Sequence, residues 1–227
     1  MRKLSLKSLS CGLFWVVLST PAPAFAANEL AIHFSADFTA ERGLYATGST
    51  KNLLQVEIGY AHTVKTFRRG ALWLEGSFTI GERHDRVFSA LDTGLLVEQL
   101  TVGARYTIPI RHWVVPQLRI GAGAVIGTLS LHGLAYGAES SSSAGFTGYA
   151  LGGIQFLLPR PWMNSTGSRG VTAGLVIEGG YQYATNLHFS SQPAPSSTTL
   201  QMTTVSTDLG TLALRGALFR LGALLLF

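Results

Sequence analysis

The sequence predicts an all-β fold, an eight-stranded antiparallel up-and-down transmembrane β-barrel. Three observations predict it. Segments of ten or more residues alternate apolar and polar side chains with a period of two, which places one set on each face of a strand. No stretch after residue 27 reaches eighteen consecutive apolar residues, so helical spans are excluded although 47% of the chain is hydrophobic. The connectors after the second and fourth segments are short, the one after the sixth is moderate and the others are longer, the asymmetry of spanning barrels.

The first 27 residues read as a secretory signal peptide, leaving 28–227 as one barrel domain. Arg2, Lys3 and Lys7 form the basic start, an apolar run follows, and Ala24 and Ala26 give the small-x-small exit. The 227-residue chain carries 17 basic and 12 acidic side chains, and three of the basic ones lie in this leader. The remaining charge is therefore nearly balanced, which gives no footing for nucleic-acid binding. The single cysteine, Cys11, also falls in the leader, so no disulfide is expected in the barrel.

The strands follow in order. The first spans about residues 29–39, with Ile32, Phe34, Ala36 and Phe38 opposite His33, Ser35, Asp37 and Thr39. The second, 54–64, sets Leu54, Val56, Ile58, Tyr60 and His62 against Gln55, Glu57, Gly59 and Ala61. The third, 71–81, sets Leu72, Leu74, Phe78 and Ile80 against Trp73, Glu75, Ser77 and Thr79, and a charged loop at 82–86 follows. The fourth, 95–108, opposes Leu100, Val102 and Tyr106 to Gln99, Thr101 and Arg105. The fifth, 113–129, opposes Leu118 and Ile120 to Gln117 and Arg119, with Pro116 near its start, where a sheet tolerates it. The sixth, 145–158, carries Phe146, Ile154 and Phe156 on one parity and a less polar face with Thr147, Tyr149 and Gln155 on the other. The seventh, 170–189, opposes Leu175, Ile177, Tyr181 and Tyr183 to Thr172, Glu178 and Gln182.

The eighth strand, 210–227, reads GTLALRGALFRLGALLLF. An apolar edge of this kind invites pairing with other chains unless it is itself paired. Closure against the first strand removes the edge, and lipid satisfies the apolar face. Arg215 and Arg220 have opposite parity, so one enters the lumen and the other sits at a rim or bulge.

The charged face collects Asp37, Glu57, Glu75, Arg105, Arg119 and Glu178 among glycine, threonine and glutamine. The apolar face is bulkier than an eight-stranded interior can hold. The charges are therefore expected inside, as a paired network, because an unpaired ion in a narrow lumen is expensive. Such a lumen has no room for a wide pore. Tyr60, Phe67, Tyr106, Trp113, Phe156, Trp162, Tyr181, Tyr183, Phe189 and Phe227 fall near strand ends, where interfacial girdles form.

No constellation points to catalysis. His33, His62, His84, His112, His132 and His188 have no metal-ligand spacing. A serine–histidine–acid set assembled from His84, His132, His188, Asp85 and the serines at 140–143 would need free choice among loop residues. Glu57 and Glu75 suit an ion network better than an acid/base pair. No catalytic residue, cofactor or metal is assigned. Lys65, Arg68, Arg69, Arg111 and Arg160 gather at the short-connector end, where solvent or anionic headgroups would serve them equally.

These features resemble the small outer-membrane β-barrel proteins of Gram-negative bacteria, with OmpA-like and OmpX-like barrel domains. The likeness covers residues 28–227. In that family a terminal aromatic with alternating apolar residues behind it is the signal read by the outer-membrane assembly machinery. Phe219, Leu221, Ala223, Leu225 and Phe227 match that pattern, with Leu224 and Leu226 interrupting the alternation. The resemblance implies a monomer in outer-membrane lipid after leader cleavage, with a structural or surface-interaction role carried by loops at 44–53, 82–91, 130–144 and 190–207. A lipid-modifying enzyme, a narrow channel and a secreted ligand-binding barrel are the alternatives.

Overall fold

The computed structural model describes residues 28–39, 52–87, 91–111, 113–133, 137–158, 171–191 and 207–227. Ten strands are formed: β1 (Asn28–Thr39), β2 (Asn52–Phe67), β3 (Gly70–Val87), β4 (Leu91–Thr107), β5 (Val114–Gly133), β6 (Gly137–Leu157), β7 (Thr172–Ala184), β8 (Leu187–Ser191), β9 (Thr207–Leu212) and β10 (Arg215–Leu226). β1 to β7 and β10 close an antiparallel barrel in the order β1-β10-β7-β6-β5-β4-β3-β2. β8 and β9 pair only with each other.

Closure is made by β1 and β10, in register from Glu29↔Leu226 to Thr39↔Gly216. Asn28 and Phe227 complete it by exchanging backbone hydrogen bonds of 2.7 and 2.9 Å. Both ends of the barrel segment therefore lie at one rim, with the tight β2–β3 turn at Arg68 and Arg69 and the β4–β5 turn at 108–113. We call this the turn end and the opposite rim the loop end. One bulge, between Thr63 and Lys65, bends β2 as it approaches the turn end.

The alternation decides the two faces. Outward side chains include Phe34, Ile58, Leu74, Val102, Leu118, Ile120, Leu175 and Phe219, all exposed. Inward ones include Glu57, Glu75, Arg105, Arg119, Glu178 and Arg220, all buried. Water would drive the apolar set inward. The reversed arrangement is stable where hydrocarbon surrounds the barrel, because every backbone group in a closed barrel is already paired.

Strand ends differ from the sequence expectation at the loop end. The expected charged loop at 82–86 is strand, because β3 stays paired to β4 as far as Val87↔Leu91. The serines at 140–143 are also strand, paired to β5 between Gly127↔Ser143 and Ser130↔Ser140. The outward face changes character along this extension: Ile80 gives way to Glu82 and His84, Ile126 to Thr128, and Phe146 to Ser142. β3, β4, β5 and β6 thus rise beyond the apolar band as a four-stranded sheet that is polar outside.

The expected seventh and eighth strands each break in two. β7 stops at Ala184 and β10 starts at Arg215, with 185–186 and 213–214 outside any strand. Thr185 bridges the break, its backbone N–H donating to Phe146 O at 2.8 Å and its Oγ1 accepting from Phe146 N at 2.8 Å. Beyond it the β8–β9 hairpin folds toward the lumen. Phe189, expected in an outer aromatic girdle, is instead buried inside, because the two-residue break shifts the inward parity from Ala184 to Leu187. Trp162 and His112 lie outside the described residues.

Candidate functional site: the barrel lumen

The middle of the lumen is an ion network centred on Arg119 of β5. Its Nε donates to Glu75 Oε1, one terminal nitrogen lies 2.9 Å from Glu57 Oε1, and the other lies 3.3 Å from Glu178 Oε2. Arg220 of β10 adds a second cation, 3.0 Å from Glu57 Oε2 and 4.0 Å from Glu178 Oε2. Three carboxylates and two guanidiniums leave one net negative charge. His33 Nδ1 stands 3.3 Å from Glu57 Oε1.

Neutral groups complete the layer. Tyr149 donates its hydroxyl to Glu75 at 3.1 Å, and Gln117 donates to Glu178 at 2.7 Å. The Tyr149 ring lies beneath both guanidiniums, 5.3 Å from Arg119 and 4.7 Å from Arg220, in cation–π geometry. The ring fits there because Gly121 has no side chain; a Cβ at that position would collide with the phenol. A glycine on one strand thus makes room for an aromatic on the next.

Nearer the turn end, Arg105 Nη1 pairs with Glu29 Oε1 at 2.6 Å, and Gln155 donates to Glu29 Oε2 at 3.3 Å. The Arg105 guanidinium lies over Trp73 at 5.0 Å. Nearer the loop end, Gln182 donates to Gln99 Oε1 at 3.1 Å. Above that Leu53, Leu95, Val97, Val125, Leu129, Ala184, Leu187, Phe189, Leu212 and Leu214 form one buried apolar cluster, with Arg83, Thr93 and Asp37 buried on the same face. Leu187 and Phe189 come from the hairpin and lie over Gly127, where an added Cβ would stand 2.8 and 3.0 Å from their ends. Ser141 of β6 pins the hairpin by exchanging hydrogen bonds of 3.0 and 3.1 Å with the Ser190 backbone.

Of the six charged residues read from the sequence, Glu57, Glu75, Arg119 and Glu178 meet in the central layer. Arg105 sits in the layer below with Glu29. Asp37 is fully buried on the lumen face, but neither carboxylate oxygen accepts a hydrogen bond among the described residues. Its register neighbours on the two flanking strands are Leu53 and Leu218. Arg220 is the arginine of β10 that enters the lumen. Arg215 stays at the rim, donating to Asn186 Oδ1 at 2.7 Å and lying over Tyr183. Glu29, Tyr149, Gln117 and Gln155 were not singled out, although strand parity puts each on the charged face. Phe219, Leu221, Ala223, Leu225 and Phe227 all point outward.

Each central carboxylate is held by a cation or a donor, and Glu57 and Glu178 are essentially inaccessible. Among the described residues no group of His, Cys, Asp and Glu could hold a metal ion.

No family model matches the chain, and no curated protein matches it. Solved structures do. The crystal structure of Ail, the attachment invasion locus protein of Yersinia pestis, is 15% identical over 89% of this chain and 97% of that chain, with a TM-score of 0.45. The same protein in complex with the heparin analogue sucrose octasulfate is 16% identical, with a TM-score of 0.45 over 89% and 97% of the two chains. Neisserial surface protein A is 12% identical over 88% and 95%, with a TM-score of 0.44.

Proposed function

We propose that the chain is an outer-membrane surface protein, a closed and non-conducting barrel that anchors the risen β3–β6 sheet outside the cell. The observation that carries this is the reversed polarity of the barrel combined with the change from apolar to polar outer face beyond Ile80, Ile126 and Phe146. The wall is built for hydrocarbon over one height and for water above it. The turn end then faces the periplasm. The leader supplies export, and the outward stripe ending at Phe227 supplies the signal to the assembly machinery.

The lumen supports an anchor over a channel. Two barriers stand in series, the ion network around Arg119 and the apolar cluster under the hairpin. A structural or interactive role at the surface follows, with the barrel acting as a monomer. Recovery of the protein in outer-membrane fractions, with gel migration that changes on boiling, is the expected result. Recovery from the soluble periplasm would overturn the membrane reading. A steady open conductance in planar bilayers would overturn the closed anchor while leaving the barrel intact.

A further inference from the structure

The turn end carries charge that the lumen does not use. Arg68 and Arg69 form the β2–β3 turn, Arg111 lies in the β4–β5 turn, and Lys65 sits just past the bulge of β2; all four are exposed. The two turns are locked side by side. Phe67 meets Tyr106 edge to face at 6.1 Å between centroids, and Lys65 lies 5.3 Å over the Phe67 ring. The approach is close enough that a Cβ on Gly70 would strike the Tyr106 ring at 2.8 Å. The β4–β5 turn is itself ordered, with Ile110 and Arg111 N–H groups both donating to Val114 O at 3.2 and 3.3 Å.

Among the described residues no side-chain carboxylate is exposed at this rim; the nearest, Glu29, is buried and paired with Arg105. The exposed carboxylates Glu82 and Asp92 lie at the loop end. The cations also border apolar surface directly: Ile108, Ile110, Phe67 and Trp113 are exposed beside them. A solvated turn would not need that border. A site facing both acyl chains and headgroups would.

We infer that Arg68, Arg69, Arg111 and Lys65 form a docking site for the headgroup of an anionic phospholipid in the leaflet at the turn end. The inference rests on the membrane reading above. The phosphate lies against the guanidiniums, which suit bidentate contact with phosphate oxygens. The acyl chains lie along Ile110, Ile108 and Trp113. Each cation near an anionic surface contributes about fivefold in affinity.

The test uses the folded barrel in nanodiscs made from equal parts of phosphatidylethanolamine and phosphatidylglycerol, with lipid retained on the released protein counted by native mass spectrometry. The expected result is enrichment of phosphatidylglycerol, reduced by more than about tenfold in Arg68→Gln/Arg69→Gln/Arg111→Gln. An Arg68→Lys/Arg69→Lys/Arg111→Lys variant, which keeps the charge but not the planar fork, retains more than the glutamine variant and less than the wild type. Equal retention of the two lipids, or enrichment unchanged in the glutamine variant, overturns the site. Heat-modifiable migration of each variant shows that the barrel is intact. Failure of the wild-type protein to enter nanodiscs or to show that migration overturns the membrane reading, a separate outcome.

Discussion

Arg119 on β5 and Glu57 on β2 meet at 2.9 Å across the lumen, although two strands of wall stand between them on the shorter way round. Their bond fixes the barrel's cross-section rather than a neighbouring pair of strands. Arg119 also serves Glu75 and Glu178, so its loss leaves Arg220 as the one guanidinium in the layer with three buried carboxylates. Breaking a buried pair by removing one partner costs about 3–5 kcal/mol. Arg119→Met is therefore expected to lower the denaturant midpoint of the barrel in detergent, read by heat-modifiable migration. Combining it with Glu75→Gln and Glu178→Gln, which leaves Glu57 paired with Arg220, should recover part of the loss. A midpoint unchanged in Arg119→Met would show that the network contributes nothing to stability.

The faces were legible in the sequence because strand parity does not depend on where a strand ends. Within their own strands Glu57, Glu75, Arg119 and Glu178 each fall on the face opposite the bulky apolar residues, and that alone put them in the lumen. The ends were not legible. At the loop end, polar residues cover the outer face of β3 and β6, so Glu82, His84 and the serines at 140–143 looked like loop. Cross-strand pairing with β4 and β5 holds them as strand despite the weak propensity of serine. The hairpin was hidden for a different reason. A two-residue break at 185–186 shifts parity, and no glycine or proline marks it. Layering within the lumen was also hidden, since parity gives the face but not the height at which Arg105 finds Glu29.

Polarity of the wall makes a prediction that separates lipid from water. Val102 is outward and 66% exposed, paired with Gly76 and Ala122 near the height of the ion network. Val102→Arg is expected to cost about 2–4 kcal/mol in a bilayer, the depth-dependent penalty at the midplane. Thr128→Arg, beyond the apolar band, should change little. Urea titration of both variants folded into phospholipid vesicles checks this. Equal stability of the two would mean that the wall does not face hydrocarbon.

Closure has a register that chemistry can read. Ala31 stands opposite Leu224 across the β1–β10 seam. Ala31→Cys/Leu224→Cys is expected to form a disulfide on oxidation, since directly opposed residues fall within bridging reach. Ala31→Cys/Leu226→Cys, offset by two residues, should stay reduced in the folded barrel. Mass spectrometry of the intact chain distinguishes them. Cross-linking of the offset pair in preference to the opposed one would refute the register.

Phe227 has two separable parts. Its backbone closes the seam with Asn28, and its ring points outward. Phe227→Ser keeps the first and removes the second. Refolding of the variant into detergent should match the wild type, while its amount in outer membranes of expressing cells should fall several-fold. Equal amounts in cells would remove the assembly role from the terminal ring.

The hairpin and the ion network should behave as independent barriers. Leu187 and Phe189 reach the lumen from β8 and pack over Gly127, while Thr101 lies deeper and shares a 2.8 Å hydrogen bond with Ser77. Leu187→Asp/Phe189→Asp puts two carboxylates into a largely apolar cluster, a cost the hairpin avoids by swinging out. A cysteine at Val125, fully buried in that cluster, should then react with a charged thiol reagent more than about tenfold faster than in the parent. A cysteine at Thr101 should stay protected in the same background, and bilayer conductance should stay silent. Because the network's contacts all lie among β1, β2, β3, β5, β6, β7 and β10, none of them depends on β8 or β9. Joint exposure of both cysteines would show instead that the hairpin holds the whole lumen together.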